Sequence, residues 1–123
     1  MAKPFPEDPA REHRIDEEIV VDAFGEEERA MSWYYYLDDK LSFPFEARCV
    51  ALRKTSPLRK GETVEAVEMA PDEACAQEML VLVRWQWRKL AVPLAQLEAQ
   101  DSDDATSEAI ADWHYWVGRG YLF

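Results

Sequence analysis

From Phe45 to Met69 the residues change character with a period of two, and no other feature constrains the fold as tightly. Phe45-Glu46-Ala47-Arg48-Cys49-Val50-Ala51-Leu52 and Thr63-Val64-Glu65-Ala66-Val67-Glu68-Met69 alternate as strands do. Arg59-Lys60-Gly61 reads as a turn between them, and Pro71-Asp72 breaks the second run. Glu78 to Trp87, rich in Val, Leu and Trp, reads as a further strand, and Leu90-Ala91-Val92 resumes after Arg88-Lys89. Pro93-Leu94-Ala95-Gln96-Leu97 resembles the short helical turn that often closes a small barrel.

The period lengthens on both sides of this block. Ile15, Ile19 and Ala23 share one helical face while Glu12, Asp16 and Glu18 stay wet. Gly25 interrupts, and Glu26-Glu27-Glu28 suits the positive end of a new helix. Its stripe is Met31, Tyr34, Leu37 and Leu41, and Ser42-Phe43-Pro44 ends it. After Asp101-Ser102-Asp103-Asp104 a last helix follows, with Thr106 or Asp104 as cap and Ile110, Trp113 and Val117 as stripe. The expected fold is α+β: a small curved antiparallel sheet, an SH3-like partial barrel, flanked by N-terminal helices and a C-terminal helix. At 123 residues one domain is expected over 11–123, behind a flexible N-terminal arm over 1–10 that carries Pro4, Pro6 and Pro9.

Charge is the main functional lead. The net charge is −11, yet 15 of the side chains are Phe, Trp or Tyr, which argues against a disordered acidic tail. Residues 1–48 hold 6 basic and 13 acidic side chains, 49–100 hold 7 of each, and 101–123 hold one basic and five acidic. Two acidic flanks therefore bracket a neutral centre. Such a balance disfavours a nucleic-acid backbone as partner, since that contact needs a basic surface. The longest apolar run, Met79-Leu80-Val81-Leu82-Val83, is far short of a membrane span, and no secretory h-region follows Met1. The expected setting is a cytoplasmic monomer with no membrane contact. Cys49 and Cys75, without CxxC spacing, read as buried reduced thiols.

Most chemistry-bearing motifs are missing. His13 and His114 have no nucleophile setting near them, GxSxG is absent, and the four glycines form neither GxGxxG nor a P-loop. Two scattered Cys and two scattered His are a poor start for zinc. The aromatic segments Trp33-Tyr34-Tyr35-Tyr36 and Trp113-His114-Tyr115-Trp116 sit at helical spacing that suits a core better than a cation cage, and Trp85 and Trp87 sit in a strand. No enzyme is expected.

Carboxylates remain. Hard cations such as Ca²⁺ take ~6–8 oxygen ligands from Asp, Glu, carbonyls and water. Asp38-Asp39 lies where the second helix gives out and main-chain carbonyls are left free. Asp101-Ser102-Asp103-Asp104 offers three carboxylates and a hydroxyl in four residues. Close carboxylates repel, and a cation relieves that. The segment is not an EF-hand: with Asp101 first, Ala105 falls at position five, Thr106 where glycine belongs and Asp112 at twelve. On spacing alone a solvated acidic loop with helix caps explains it better than a specific calcium site does. Glu26-Glu27-Glu28 and Asp16-Glu17-Glu18 are weaker, since neighbours along a helix point apart.

Asp22-Ala23-Phe24-Gly25, then Glu28-Arg29-Ala30-Met31-Ser32-Trp33-Tyr34-Tyr35-Tyr36-Leu37, Lys40-Leu41 and Phe43-Pro44-Phe45, resembles the cyanobacterial calcium-binding protein (CcbP-like) family. Val92-Pro93-Leu94 and Glu108-Ala109-Ile110-Ala111-Asp112-Trp113 through Tyr115-Trp116 resemble its C-terminal signature, so the likeness spans roughly residues 15–121. The resemblance implies a cytosolic, non-catalytic protein that binds Ca²⁺ through acidic side chains outside the EF-hand scheme, as buffer or sensor. Asp38 and Asp39 fall in the matching segment. Asp101, Asp103 and Asp104 lie in the loop before the last helix. Glu108 and Asp112 belong to the C-terminal motif, where capping or packing explains them as well as ligation. These six ligand candidates, Asp38, Asp39, Asp101, Asp103, Asp104 and Glu108, are expected to draw the two acidic ends together. The alternative is an acidic interaction module that docks a basic partner without metal.

Overall fold

The computed structural model describes residues 6–121 and 123. Three α-helices surround a five-stranded antiparallel sheet: α1 (Pro9–Arg14), α2 (Glu26–Lys40), β1 (Phe45–Cys49), β2 (Thr63–Met69), β3 (Leu80–Trp85), β4 (Arg88–Pro93), β5 (Leu97–Gln100) and α3 (Asp104–Gly118). The α+β reading holds. Strand order is β4-β3-β2-β1-β5, so β4 and β5 are the two edges.

Of the expected arm over 1–10, residues 1–5 lie outside the described part, and its far end is folded. Asp8 caps α1 by accepting from the Arg11 N–H, with Pro9 at the start where its missing N–H costs nothing. The Asp8 N–H in turn donates to the Tyr115 hydroxyl at 2.9 Å. One π-helical turn, Ile15–Ile19, prolongs α1 and buries Ile15 and Ile19, while Ala23 falls outside any helix.

In α2 the first turn carries Glu26, Glu27 and Glu28 as expected, but the buried face is Ala30, Trp33 and Leu37. Met31 and Tyr34 are only half-buried. The face turns because Trp33 packs edge-on against Trp113, ring centres 5.0 Å apart, and tilts against Trp116. Burying a tryptophan removes more apolar surface than burying methionine.

β1 and β2 show the alternation directly: Phe45, Ala47 and Cys49 point inward, as do Val64, Ala66 and Met69 around a bulge between Ala66 and Glu68. β1 stops before Leu52 because the Val50 N–H donates to the Gln96 carbonyl at 2.8 Å. Leu94–Gln96 is the helical turn read from Pro93–Leu97, and β5 follows it immediately. β5 was not foreseen, since Leu97-Glu98-Ala99-Gln100 is short and weakly patterned. Trp87 corrects the strand reading. The β3–β4 turn is Gln86-Trp87, both at positive φ, and Arg88 and Lys89 belong to β4. Trp87 is therefore fully exposed instead of packed. Cys49 and Cys75 are buried and unbridged.

Candidate metal centre

Two chain reversals make one corner. α2 ends at Lys40 and the chain turns through Leu41–Pro44 into β1, while β5 leads through 101–103 into α3. Ser42 ties them: its N–H donates to Thr106 Oγ1 at 2.9 Å, and its hydroxyl donates to Asp103 Oδ2 at 2.6 Å. The other oxygen, Asp103 Oδ1, accepts from the Thr106 N–H at 2.7 Å. Asp103 is thus the cap of α3, in place of Thr106 or Asp104. These donors, the Ser42 hydroxyl foremost, hold the Asp103 carboxyl below its usual range and keep it ionised. Cross-strand pairing of Glu46 with Gln100 brings a further carboxylate beside the loop.

The six candidate ligands do not form one cluster. Asp101 and Asp103 line a groove of about 340 Å³ together with Glu46, Ser42 and Ser102. Asp39 and Glu108 line a second groove, with Glu18 but also with Arg14 and Lys40. Asp38 and Asp104 border neither groove and are exposed. Asp101 adopts φ 49°, the left-handed region in which Asp is among the tolerated residues. Among the described residues no three Asp, Glu, His or Cys side chains already stand as a metal cage.

The grooves differ in compensation. In the second, Glu108 is 3.4 Å from Arg14 and Asp39 is 3.9 Å from Lys40. In the first, the lining contains three carboxylates, two hydroxyls and no basic side chain. Carboxylate, hydroxyl and carbonyl oxygen is the donor chemistry of a hard cation. The residues of the first groove fit Ca²⁺ in kind, although their spacing is open. Glu46 was missed in the sequence reading; its signal is its outward position in the alternation of β1, beside the strand that feeds the acidic loop.

Asp112, the second carboxylate of the C-terminal motif, is engaged within the protein. It is fully buried, accepting from Arg11 at 2.5 Å, from Arg14 at 2.5 and 2.6 Å, and from the Tyr36 hydroxyl at 2.8 Å. The hydrogen bond to Asp112 raises the Arg14 pKa, and burial followed by that same carboxylate raises the Tyr36 pKa. With its oxygens taken, Asp112 is a clamp between α1, α2 and α3.

A small acidic α+β domain with an oxygen-rich corner and no EF-hand loop fits the class of acidic proteins that hold hard cations on an irregular scaffold. Within it the chain belongs to the CcbP calcium-binding family, whose model matches residues 13–117. It is similar to the crystal structure of Anabaena CcbP, at 46% identity over 99% of this chain and 100% of that one, with a TM-score of 0.86. It is also similar to a calcium-binding protein solved in its calcium-binding form, at 48% identity over 94% of this chain and 95% of that one, TM-score 0.84. No curated protein gives a match. The family is one of calcium-binding proteins and is not an enzyme family. Among the described residues no helix is long and apolar enough to cross a membrane.

Proposed function

We propose that the chain binds Ca²⁺ chiefly at the Glu46–Asp101–Asp103 groove and acts as a calcium buffer. The observation that carries this reading is the charge balance of the two grooves that hold candidate ligands: three carboxylates with no cation among them in the first, and carboxylates that already face Arg14 and Lys40 in the second. A divalent ion gains most where it relieves repulsion that no side chain relieves. Asp101 and Asp103 would supply carboxylate oxygens, with Glu46 and the Ser102 hydroxyl at the edge. Asp38, Asp39, Asp104 and Glu108 then contribute to the local field or to a weaker second ion.

Buffer is preferred to sensor because the corner is already tied down by Ser42, Thr106 and the Asp112 clamp. A sensor needs an element with two arrangements for the ion to choose between. Calorimetry of metal-freed protein at physiological salt tests binding; absence of saturable heat below millimolar calcium ends the proposal. A ¹H–¹⁵N titration tests the role: shifts confined to residues near 42–46 and 100–108 fit a buffer, and shifts spread over the sheet fit a sensor. A partner captured equally well in excess chelator would favour the metal-free interaction module.

A further inference from the structure

Trp87 has the highest exposure of any large apolar side chain among the described residues. It sits at the tip of the β3–β4 hairpin with φ 73°, next to Gln86 at φ 44°. Turns that need two left-handed residues favour Asn-Gly, and neither residue here is of that kind. The hairpin thus holds two left-handed residues and a fully hydrated indole ring at one spot. Arg88, the next residue in the chain, is exposed and has no ion-pair partner among the described residues, whereas Arg84 pairs with Glu65 and Lys89 lies 3.4 Å from Glu68.

The opposite end of the sheet offers the complement. A groove of about 400 Å³ lies between the first half of α2 and the short turn Asp72–Cys75. Ala30, Met31 and Cys75 are its more buried lining, and Glu26, Glu27, Asp72 and Glu73 are its acidic rim, with Ala76 and Gln77 also exposed there. All four rim residues are exposed, and none has an ion-pair partner among the described residues. β2 runs from the hairpin end at Thr63 to the groove end at Met69, and its seven residues extend roughly 20 Å. A rigid chain cannot fill its own groove with its own hairpin.

We propose that the Trp87 hairpin of one copy docks in the groove of a second copy, giving head-to-tail self-association in place of the monomer expected from sequence. The indole covers the more buried lining, and Arg88 meets the acidic rim. A single aromatic anchor with a charged rim is the anatomy of a small interface with one dominant residue. The contact is of the weak, transient size class, below about 1,200 Å². Because the two surfaces differ, the contact does not close on itself after two copies. It rests on other residues than the calcium reading, and excess chelator keeps the ion out of its acidic rim.

The test is sedimentation velocity of the full chain in excess chelator, across a concentration series at low and at physiological salt. Mass should rise with concentration, and the rise should shrink with salt. Trp87→Ser alone, and Asp72→Lys with Glu73→Lys alone, should each abolish it; all three positions are exposed, and circular dichroism checks the fold. Mixing these two variants should restore association but stop at a one-to-one pair, since one retains only the groove and the other only the hairpin. A wild-type chain that stays monomeric throughout overturns the proposal. So does a Trp87→Ser chain that associates like wild type, or a mixture of the two variants that stays monomeric.

Discussion

Helix α3 carries two carboxylates in opposite settings. Asp112 is buried and saturated by two guanidinium groups and a phenol. Asp103 stands at the rim of a groove, held only by neutral donors from Ser42 and Thr106. Both are ordered by hydrogen bonds, so order alone does not separate a ligand from a strut. Charge balance does. A carboxylate whose charge the protein already compensates has little reason to take a cation, while one oriented by uncharged donors keeps its negative charge available.

The largest expected effect breaks the strut. Asp112→Asn keeps the shape but leaves Arg11 and Arg14 close together with only their longer, more exposed contacts to Asp8 and Glu108. Removing one member of a buried ion pair costs about 3–5 kcal/mol, and the partial exposure of both arginines places this case near 3 kcal/mol. Denaturant unfolding of the metal-free protein measures it, and calcium affinity of the folded fraction should stay within about twofold. A variant as stable as the parent would show that the clamp is ornamental.

The mirror experiment removes charge at the rim. Asp103→Asn keeps a good helix cap, since Asn and Asp rank alike there, so the midpoint of denaturant unfolding should barely move. Calcium affinity should fall about tenfold, equivalent to ~1.4 kcal/mol. Asp101→Asn and Glu46→Gln should follow in the same direction. Glu108→Gln, whose carboxylate already faces Arg14, should lower affinity by less than about twofold. Calorimetry ranks the four, and a Glu108 effect larger than that of Asp103 would reverse the assignment of grooves.

The sequence showed this contrast only in part. Period-two alternation located β1 and β2, and Gly25 followed by three glutamates located the start of α2, because local pattern and final burial agree there. The unevenly placed charge suggested that the two acidic flanks converge, but Asp38 and Asp39 do not join Asp101 and Asp103 in one groove. What escaped depended on distant partners. Asp112 looks like any helix carboxylate until Arg11 and Arg14 arrive from about a hundred residues away. Asp103 was read as a ligand candidate, and its capping of α3 through the Thr106 N–H was not foreseen. Trp87 was assigned to a strand because a turn of Gln-Trp lacks the residues that announce one.

The finest test separates the rim from the strut by pH. Asp103 sits below the usual value of 3.8, first because of the Ser42 hydroxyl and then because of Thr106. A lowered folded pKa means that its contribution to stability is complete above the ordinary value and is lost only as pH falls through the lowered one. The cap should therefore outlast exposed carboxylates without such donors in an acid titration of the metal-free protein. Ser42→Ala should move the Asp103 carboxyl ¹³C titration back toward 3.8 while leaving Asp112 and its arginines untouched. Calcium at constant pH should push the same titration lower, since the ion and the proton compete for one carboxylate. If calcium leaves the Asp103 titration where it was, the carboxylate is a cap alone and the ion binds elsewhere.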